Sequence, residues 1–325
     1  MYKAGILGTG YYVPEKIITN FDLEKIVDTS DEWIKTRTGI EQRRQAAKDE
    51  YTSDMGVKAA EKAIKNANLK KEDIDLIITA TITGDYPWPS TATIIANKLD
   101  LSDIPAFDIS AACSGFIYGL KLADSLIKSG DFKHILLVAS EKLSSITDYT
   151  DRNTCVLLGD GAGAVIIGRS EESEILSTVI HSDGSKLELL YQPGGGCVNP
   201  ASEETVKNKL HYLKMNGADI FKLAVEKMPE VLEKALKLAN IPAEKIDFVI
   251  FHQANIRIIN NIAKRFGWPD EKNIVNIQKY GNTSAATIPI ALAEAIEQGK
   301  IKKGKLIAFS TFGAGLTWAG AVIKL

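Results

Sequence analysis

Cysteine and histidine are scarce: 3 and 4 respectively in a chain of 325 residues. Three cysteines cannot complete a disulfide framework, and two of them sit inside apolar runs, so a reducing compartment is expected. None of the seven side chains shows metal-ligand spacing, which excludes a metal centre of the common kinds. Charge of one sign is also missing. Thirty-nine Lys and Arg stand against 41 Asp and Glu, a net charge of -2, which disfavours a generally basic nucleic-acid binder. No apolar run approaches the ~18 residues of a membrane helix. The opening MYKAGILGTGYYVP has no basic region followed by an apolar stretch and cleavage site, so no signal peptide is expected. These absences predict a soluble, cytoplasmic protein without membrane or nucleic-acid partners. The Gly-rich segments lack their usual completions as well. GDGAGAV (159–165) is not followed by Gly-Lys-Ser/Thr, and GTGYYVP (8–14) has no third glycine, so neither a P-loop nor a dinucleotide fingerprint is present. Close approach of strands and helices is the expected use of both.

What is present is alternation. LIITATI (76–82), HILLVAS (134–140), AGAVIIG (162–168), DFVIFH (247–252) and KLIAFST (305–311) are short apolar runs of the kind found in strands buried on both faces. Met55, Ala59, Ala60, Ala63, Ile64 and Ala67 recur on one face of a helix. The pattern predicts an α/β fold with helices covering mainly parallel sheet. Residues 183–210, with PGGGCVNP at the centre, read as a long loop. A repeat organises the rest. AEKAIKNANLKKEDIDLII (60–78) aligns without gaps on LEKALKLANIPAEKIDFVI (232–250) at an offset of 172, with ten of 19 positions identical. A second match, LADSLIKSG (122–130) with LAEAIEQG (292–299), follows at an offset near 170. The chain therefore reads as a duplicated unit with halves 1–170 and 171–325. Equivalent loops of such halves converge on the pseudo-axis between them, which is where chemistry is expected.

Three residues stand out by position. Cys113, in AFDISAACSGF, follows a strand and opens an apolar helix with a start expected near Ala112. Unpaired amides and the macrodipole there are expected to lower the thiol pKa. The competing reading is a small buried hydrophobe, the common state of free Cys; that reading stands for Cys155 and Cys197. His252 falls where a buried strand meets a helix, a usual place for ligand-binding residues, though a hydrogen-bonded core His would look the same. Asn282, in KYGNTSAAT, matches the place of Cys113 in the other half to within one residue; a helix N-cap is the plain alternative. Together, a Cys–His–Asn group without an acidic base suits acyl-thioester chemistry. The sulfur accepts an acyl group and two neutral donors stabilise an enolate. FGAGLTWAG (312–320) presents backbone amides or is simply a tight turn.

DTSDEWIKTRTGIEQRR (28–44), AFDISAACSGF (106–116), LLGDGAGAV (157–165), FHQANIRI (251–258), YGNTSAA (280–286) and FGAGLTWAG together resemble the beta-ketoacyl-acyl carrier protein synthase III family over essentially the whole chain. The resemblance implies a duplicated, five-layered αβαβα thiolase fold and a homodimer. It implies condensation of an acyl-CoA primer with malonyl-acyl carrier protein, with coenzyme A thioesters as substrates and no cofactor. By the same resemblance Cys113 is the nucleophile, and His252 and Asn282 stabilise the enolate. The amides of Cys113 and Ala314 form an oxyanion hole. Trp33 and Arg152 sandwich adenine, Arg37 meets the coenzyme phosphates, and Gly217 and Asn255 contact pantetheine. Phe312 lies beside the nucleophile. Arg257, Lys264 and Arg265 share one helix face and fit an acidic carrier protein.

Four departures from the family pattern carry expectations of their own. Ala314 replaces a Gly but still donates its amide if φ is negative. Trp88 stands where Phe is frequent in the partner subunit's primer pocket, which should favour acetyl-sized primers. Pro229 predicts a kink or break in the helix of 218–239. The loop 188–210 is long enough to reshape the pocket entrance. Within the superfamily, degradative thiolases use a second Cys that FGAG lacks, and elongating synthases pair two His where this chain has Asn282. A condensing or acyl-transferring relative in secondary metabolism is the nearest alternative, and a catalytically silent scaffold the more distant one.

Overall fold

The computed structural model describes residues 2–325. Two sheets form its frame. The first orders its strands as Ala4–Tyr12, Asp160–Arg169, His134–Lys142, Leu76–Ala80 and Ala106–Ile109; the second orders Glu174–Ser182, Thr317–Lys324, Leu306–Gly313 and Phe248–Phe251. In each sheet the last two or three strands of that order run parallel, and the remaining pairs are antiparallel. The strands are buried on both faces, so the period of two sorts each run into two cores. In the first sheet Ile78, Ile135 and Leu137 face inward, while Ile77, Leu136 and Val138 face out toward the helices Thr52–Asn66 and Thr91–Lys98. In the second, Ile250, Ile307 and Phe309 face inward, and Val249, Phe251 and Ala308 meet the helices Gly217–Ala239 and Ile256–Arg265. Between the sheets lie the helices Gly115–Ser129 and Thr287–Glu297, apolar nearly all round and part of the shared inner core. The stacking is helix, sheet, helix, sheet, helix, the five layers expected.

The glycine segments do what was expected of them. Gly8 and Gly10 lie against the backbone of the helix Thr52–Asn66, and a Cβ on Gly163 would stand 2.7 Å from that of Pro289. The sheets are not mainly parallel as expected: four of their seven neighbouring strand pairs are antiparallel. Three further expectations need correction. Residues 183–210 are not plain loop: Gly184–Leu189 is a 3-10 helix, Leu190–Tyr191 pairs with Lys214–Met215, and Glu203–Lys207 is a short helix capped by Ser202. Pro229 does not break its helix, which is continuous from Gly217 to Ala239. One missing N–H is tolerated because the segment is anchored sideways. Ser310 and Ser177 donate to the carbonyls of Met228 and Ala235, both at hydrogen-bonding distance (2.9 and 2.8 Å), and Met228, Val231 and Leu232 are buried. Finally, the offset of 172 persists through the strands Leu76–Ala80 and Phe248–Phe251 and through the 3-10 turns Ala112–Ser114 and Ser284–Ala286. It therefore sets Ala285, not Asn282, opposite Cys113; Asn282 stands three residues earlier, on the incoming strand-like segment.

Among the described residues no helix is long and apolar enough to cross a membrane. Phe309 is fully buried in the inner core, edge-on to Phe116 of the central helix at 6.3 Å. Phe309→Ala should lower unfolding free energy by about 3–5 kcal/mol in urea titration; a loss under about 1 kcal/mol would mean the inner core does not hold the layers together.

Candidate active site

The two 3-10 turns meet at the centre. Each opens on a non-glycine residue in the left-handed region, Ala112 (φ 44) and Ser284 (φ 51), and each leads into one of the two central helices. That strained entry turns the following side chain out of the helix line. Helical structure does begin at Ala112, but as a 3-10 turn with Cys113 at its middle; the α-helix proper starts at Gly115 after the cap Ser114, and Cys113 remains partly exposed to a cavity. Gly313 allows the neighbouring strand to close on it: a Cβ there would lie 2.8 Å from the Cys113 amide nitrogen. Thr311 Oγ1 donates to the Cys113 carbonyl at 3.0 Å. The expected lowering of the thiol pKa is not found. Burial pushes the thiol up to about 11, the nearby Ser284 hydroxyl draws it down, and Glu141 raises it further. Loss of water around the sulfur outweighs the field of a helix that starts two residues later.

His252 follows the strand Phe248–Phe251, where its N–H donates to Ser310 O at 2.9 Å. It is 5% exposed, and burial lowers its pKa to about 3, so the imidazole is neutral. Its Nδ1 lies 2.7 Å from Thr287 Oγ1, which leaves Nε2 for the cavity. Asn282 Oδ1 accepts from the Ser284 N–H at 2.8 Å. Asn282 is thus not the cap itself, which is Thr283: its oxygen is used locally, and among the described residues its Nδ2 protons have no partner. Ala314 does not adopt a positive φ, the condition under which its amide can serve as Gly would.

Glu141 and Ser284 escaped the sequence reading. Glu141 ends the strand His134–Lys142 with 0% exposure. It accepts from Thr81 Oγ1, the Ile82 amide and Thr83 Oγ1 at 3.2, 3.2 and 2.5 Å. Burial raises its pKa to about 7 despite these bonds. The Ser284 hydroxyl lies close enough to lower the pKa of both Cys113 and Glu141, yet makes no well-formed hydrogen bond to either. The one signal for Ser284 was its match to Ala112 at the repeat offset. Because the Glu141 pKa is raised on folding, its stabilising contribution is whole below the ordinary value of 4.5 and is lost as pH rises through about 7. Up to about 3 kcal/mol of stability should fade over that window at ~1.4 kcal/mol per unit. Glu141→Gln should flatten this part of a denaturation-versus-pH curve; parallel curves would show the carboxyl to be ionised throughout.

Cys113, His252, Asn282 and Phe312 line one cavity of about 680 Å³, together with Trp33, Arg37, Gly217, Asn255 and Arg257. Asn255 caps the helix Ile256–Arg265 and donates to Arg37 O at 3.0 Å. The guanidinium of Arg152 stands 5.3 Å from the Trp33 ring centroid and donates to Asp28 O at 2.7 Å. A purine between two faces needs about 7 Å, twice a ~3.5 Å contact, so at this separation no purine fits between the two side chains. The basic helix face is uneven. Arg265 is paired with Glu233 at 2.9 Å, Arg257 stacks on Phe221 at 5.1 Å, and Lys264 is exposed. Trp88 lies apart from the cavity, 83% exposed. A second cleft of about 640 Å³ beside Gly8–Tyr11 holds no cysteine or histidine. Among the described residues no group of three or more His, Cys, Asp or Glu could hold a metal ion.

Comparison with known proteins places the whole chain in one family. Residues 107–184 match the family model for 3-oxoacyl-[acyl-carrier-protein] synthase III, and residues 236–325 match its C-terminal counterpart. The beta-ketoacyl-[acyl-carrier-protein] synthase III of Fusobacterium nucleatum is 52% identical over 325 residues, 100% of this chain and 99% of that protein. That of Aquifex aeolicus is 51% identical, covering 98% of each. The crystal structure of the Aquifex aeolicus protein superposes with a TM-score of 0.92 over 99% of this chain and 100% of that one. The chain belongs to the beta-ketoacyl-[acyl-carrier-protein] synthase III family.

Proposed function

We propose that this chain condenses a short acyl-CoA, acetyl-sized, with malonyl-acyl carrier protein, releasing CO2 and giving the 3-oxoacyl-acyl carrier protein that begins type II fatty-acid synthesis. The observation that carries the reading is the grouping of a sulfur nucleophile and two uncharged donors, Cys113, His252 and Asn282, in one cavity. The Cys113 sulfur attacks the acyl-CoA carbonyl while the amides of Cys113 and Ala314 hold the oxyanion. Free coenzyme A leaves with the thiol proton. Malonyl-carrier protein then enters. Loss of CO2 gives an enolate held by neutral His252 Nε2–H and Asn282 Nδ2–H; its carbon attacks the acyl-Cys carbonyl, the C–S bond breaks, and the departing Cys113 sulfur takes a proton from solvent to restore the thiol. A neutral imidazole suits this step, because its N–H donates a hydrogen bond to the enolate oxygen yet is too weak an acid to protonate the enolate and quench it.

Trp33, Arg152, Arg37, Gly217 and Asn255 would bind coenzyme A, with adenine stacking on Trp33 once Arg152 has moved. Arg257 and Lys264 are the parts of the basic face most available to the carrier protein. A homodimer is supported by the edge strand Ala106–Ile109, which has no partner on its outer side, and by exposed Tyr86, Trp88 and Phe107 near it in sequence. In that assembly Trp88 would shorten the partner subunit's primer pocket. The matching strand orders support reading the chain as halves 1–170 and 171–325. The reaction calls for no cofactor beyond its thioester substrates, and its partners are cytoplasmic.

Cys113→Ala should abolish radiolabelled acyl-enzyme from acetyl-CoA, whereas His252→Ala and Asn282→Ala should keep acylation and lose malonyl decarboxylation at least ~100-fold. Label retained on the alanine variant would remove Cys113 from its role. In a primer series from C2 to C8 with branched members, product mass should show two-carbon primers favoured; preference for C6 or longer would contradict the role given to Trp88.

A further inference from the structure

Thr287 opens the helix Thr287–Glu297 and is 2% exposed. Its Oγ1 stands 2.7 Å from His252 Nδ1 and 3.1 Å from the carbonyl oxygen of Ser284. A threonine hydroxyl has one proton, and a carbonyl can only accept. If the proton goes to Ser284, the oxygen must accept from Nδ1–H, and Nε2 faces the cavity as a bare lone pair. If it goes to Nδ1, then Nε2 carries the hydrogen. The two lengths favour one of these cases. N–H donors span about 2.7–3.2 Å from an oxygen with a mode of about 2.9–3.0 Å, whereas O–H donors settle at about 2.7–2.8 Å. The short contact has the length of an O–H donor, and the contact to Ser284 is the longer, weaker one. Nδ1 has no other polar partner, and at neutral pH the ring keeps a single hydrogen.

We propose that Thr287 is a positioning residue that donates its hydroxyl proton to His252 Nδ1 and so fixes the tautomer presenting Nε2–H to the cavity. This rests on the condensation reading for its consequence but not for its geometry. No bond is made or broken in setting the tautomer. What it supplies is a donor already aimed when the enolate forms, so the decarboxylating half-reaction depends on it. The acylating half does not: in this tautomer Nε2 has no lone pair with which to take the thiol proton.

The test is a long-range proton–nitrogen NMR spectrum of the full chain labelled with nitrogen-15 histidine, which has only four rings to assign. His252 should show protonated Nε2 and bare Nδ1 from pH 5 to 8 without substrate. Thr287→Ser should keep that signature. Thr287→Val, which preserves shape and removes the hydroxyl, should mix the tautomers and slow malonyl decarboxylation about 10- to 100-fold, with acyl-enzyme formation unchanged. A protonated Nδ1 in the unmodified chain overturns the proposal, as does a valine variant with unaltered spectrum and decarboxylation. Should the valine variant not fold, the spectra of the parent and serine chains decide alone. A chain with the expected spectrum but no condensing activity would sink the functional reading and leave the tautomer assignment standing.

Discussion

The structure depends on the contact between two short turns, Ala112–Ser114 and Ser284–Ala286, at the junction of its two sheets. A Cβ on Gly115 would reach Ala80 and Ala285 at once, so the turns are pressed together with little room for anything larger. Each begins in a backbone region that ordinary residues avoid, and such strain persists only where the surroundings over-determine it. Here those surroundings are two sheets and two largely buried helices. Cys113, the loop carrying Asn282 and the threonine behind the imidazole all issue from this one junction.

Burial is the common cause of the site's electrostatics. It lifts the Cys113 thiol to about 11, raises Glu141 to about 7 and lowers His252 to about 3. Each group is driven toward its uncharged form, as a medium of low effective dielectric requires. At neutral pH the thiol and the imidazole are therefore uncharged, while Glu141 titrates close by. In the proposed condensation, fixed dipoles would act strongly on charge developing in the thioester substrates, because little water competes.

The architecture was legible because the strands are buried on both faces and the outer helices on one. Runs such as HILLVAS and the Met55–Ala67 stripe have no other stable use. The site triad was legible for a related reason: Cys113, His252 and Asn282 all stand at strand-to-helix junctions. Glu141 was not, because nothing local distinguishes a carboxylate at a strand end that is fed by Thr81 and Thr83 from one in solvent. Burial is settled only by the tertiary fold. The thiol pKa failed for the same reason, since position at a helix start says nothing about loss of water. The register of Asn282 slipped because the second repeat match is two residues out of step with the first, and the turns obey the first. The long segment 183–210 hid its pieces because each is shorter than a period can reveal.

The strand Ala106–Ile109 is the outermost of its sheet, and it leads to Cys113 four residues later. An edge strand is held from one side only, so its position is the softest in the sheet. Any chain that pairs with it would brace the very segment that delivers the sulfur. Assembly and reactivity would then share one mechanical support, and loosening the first would blur the aim of the second.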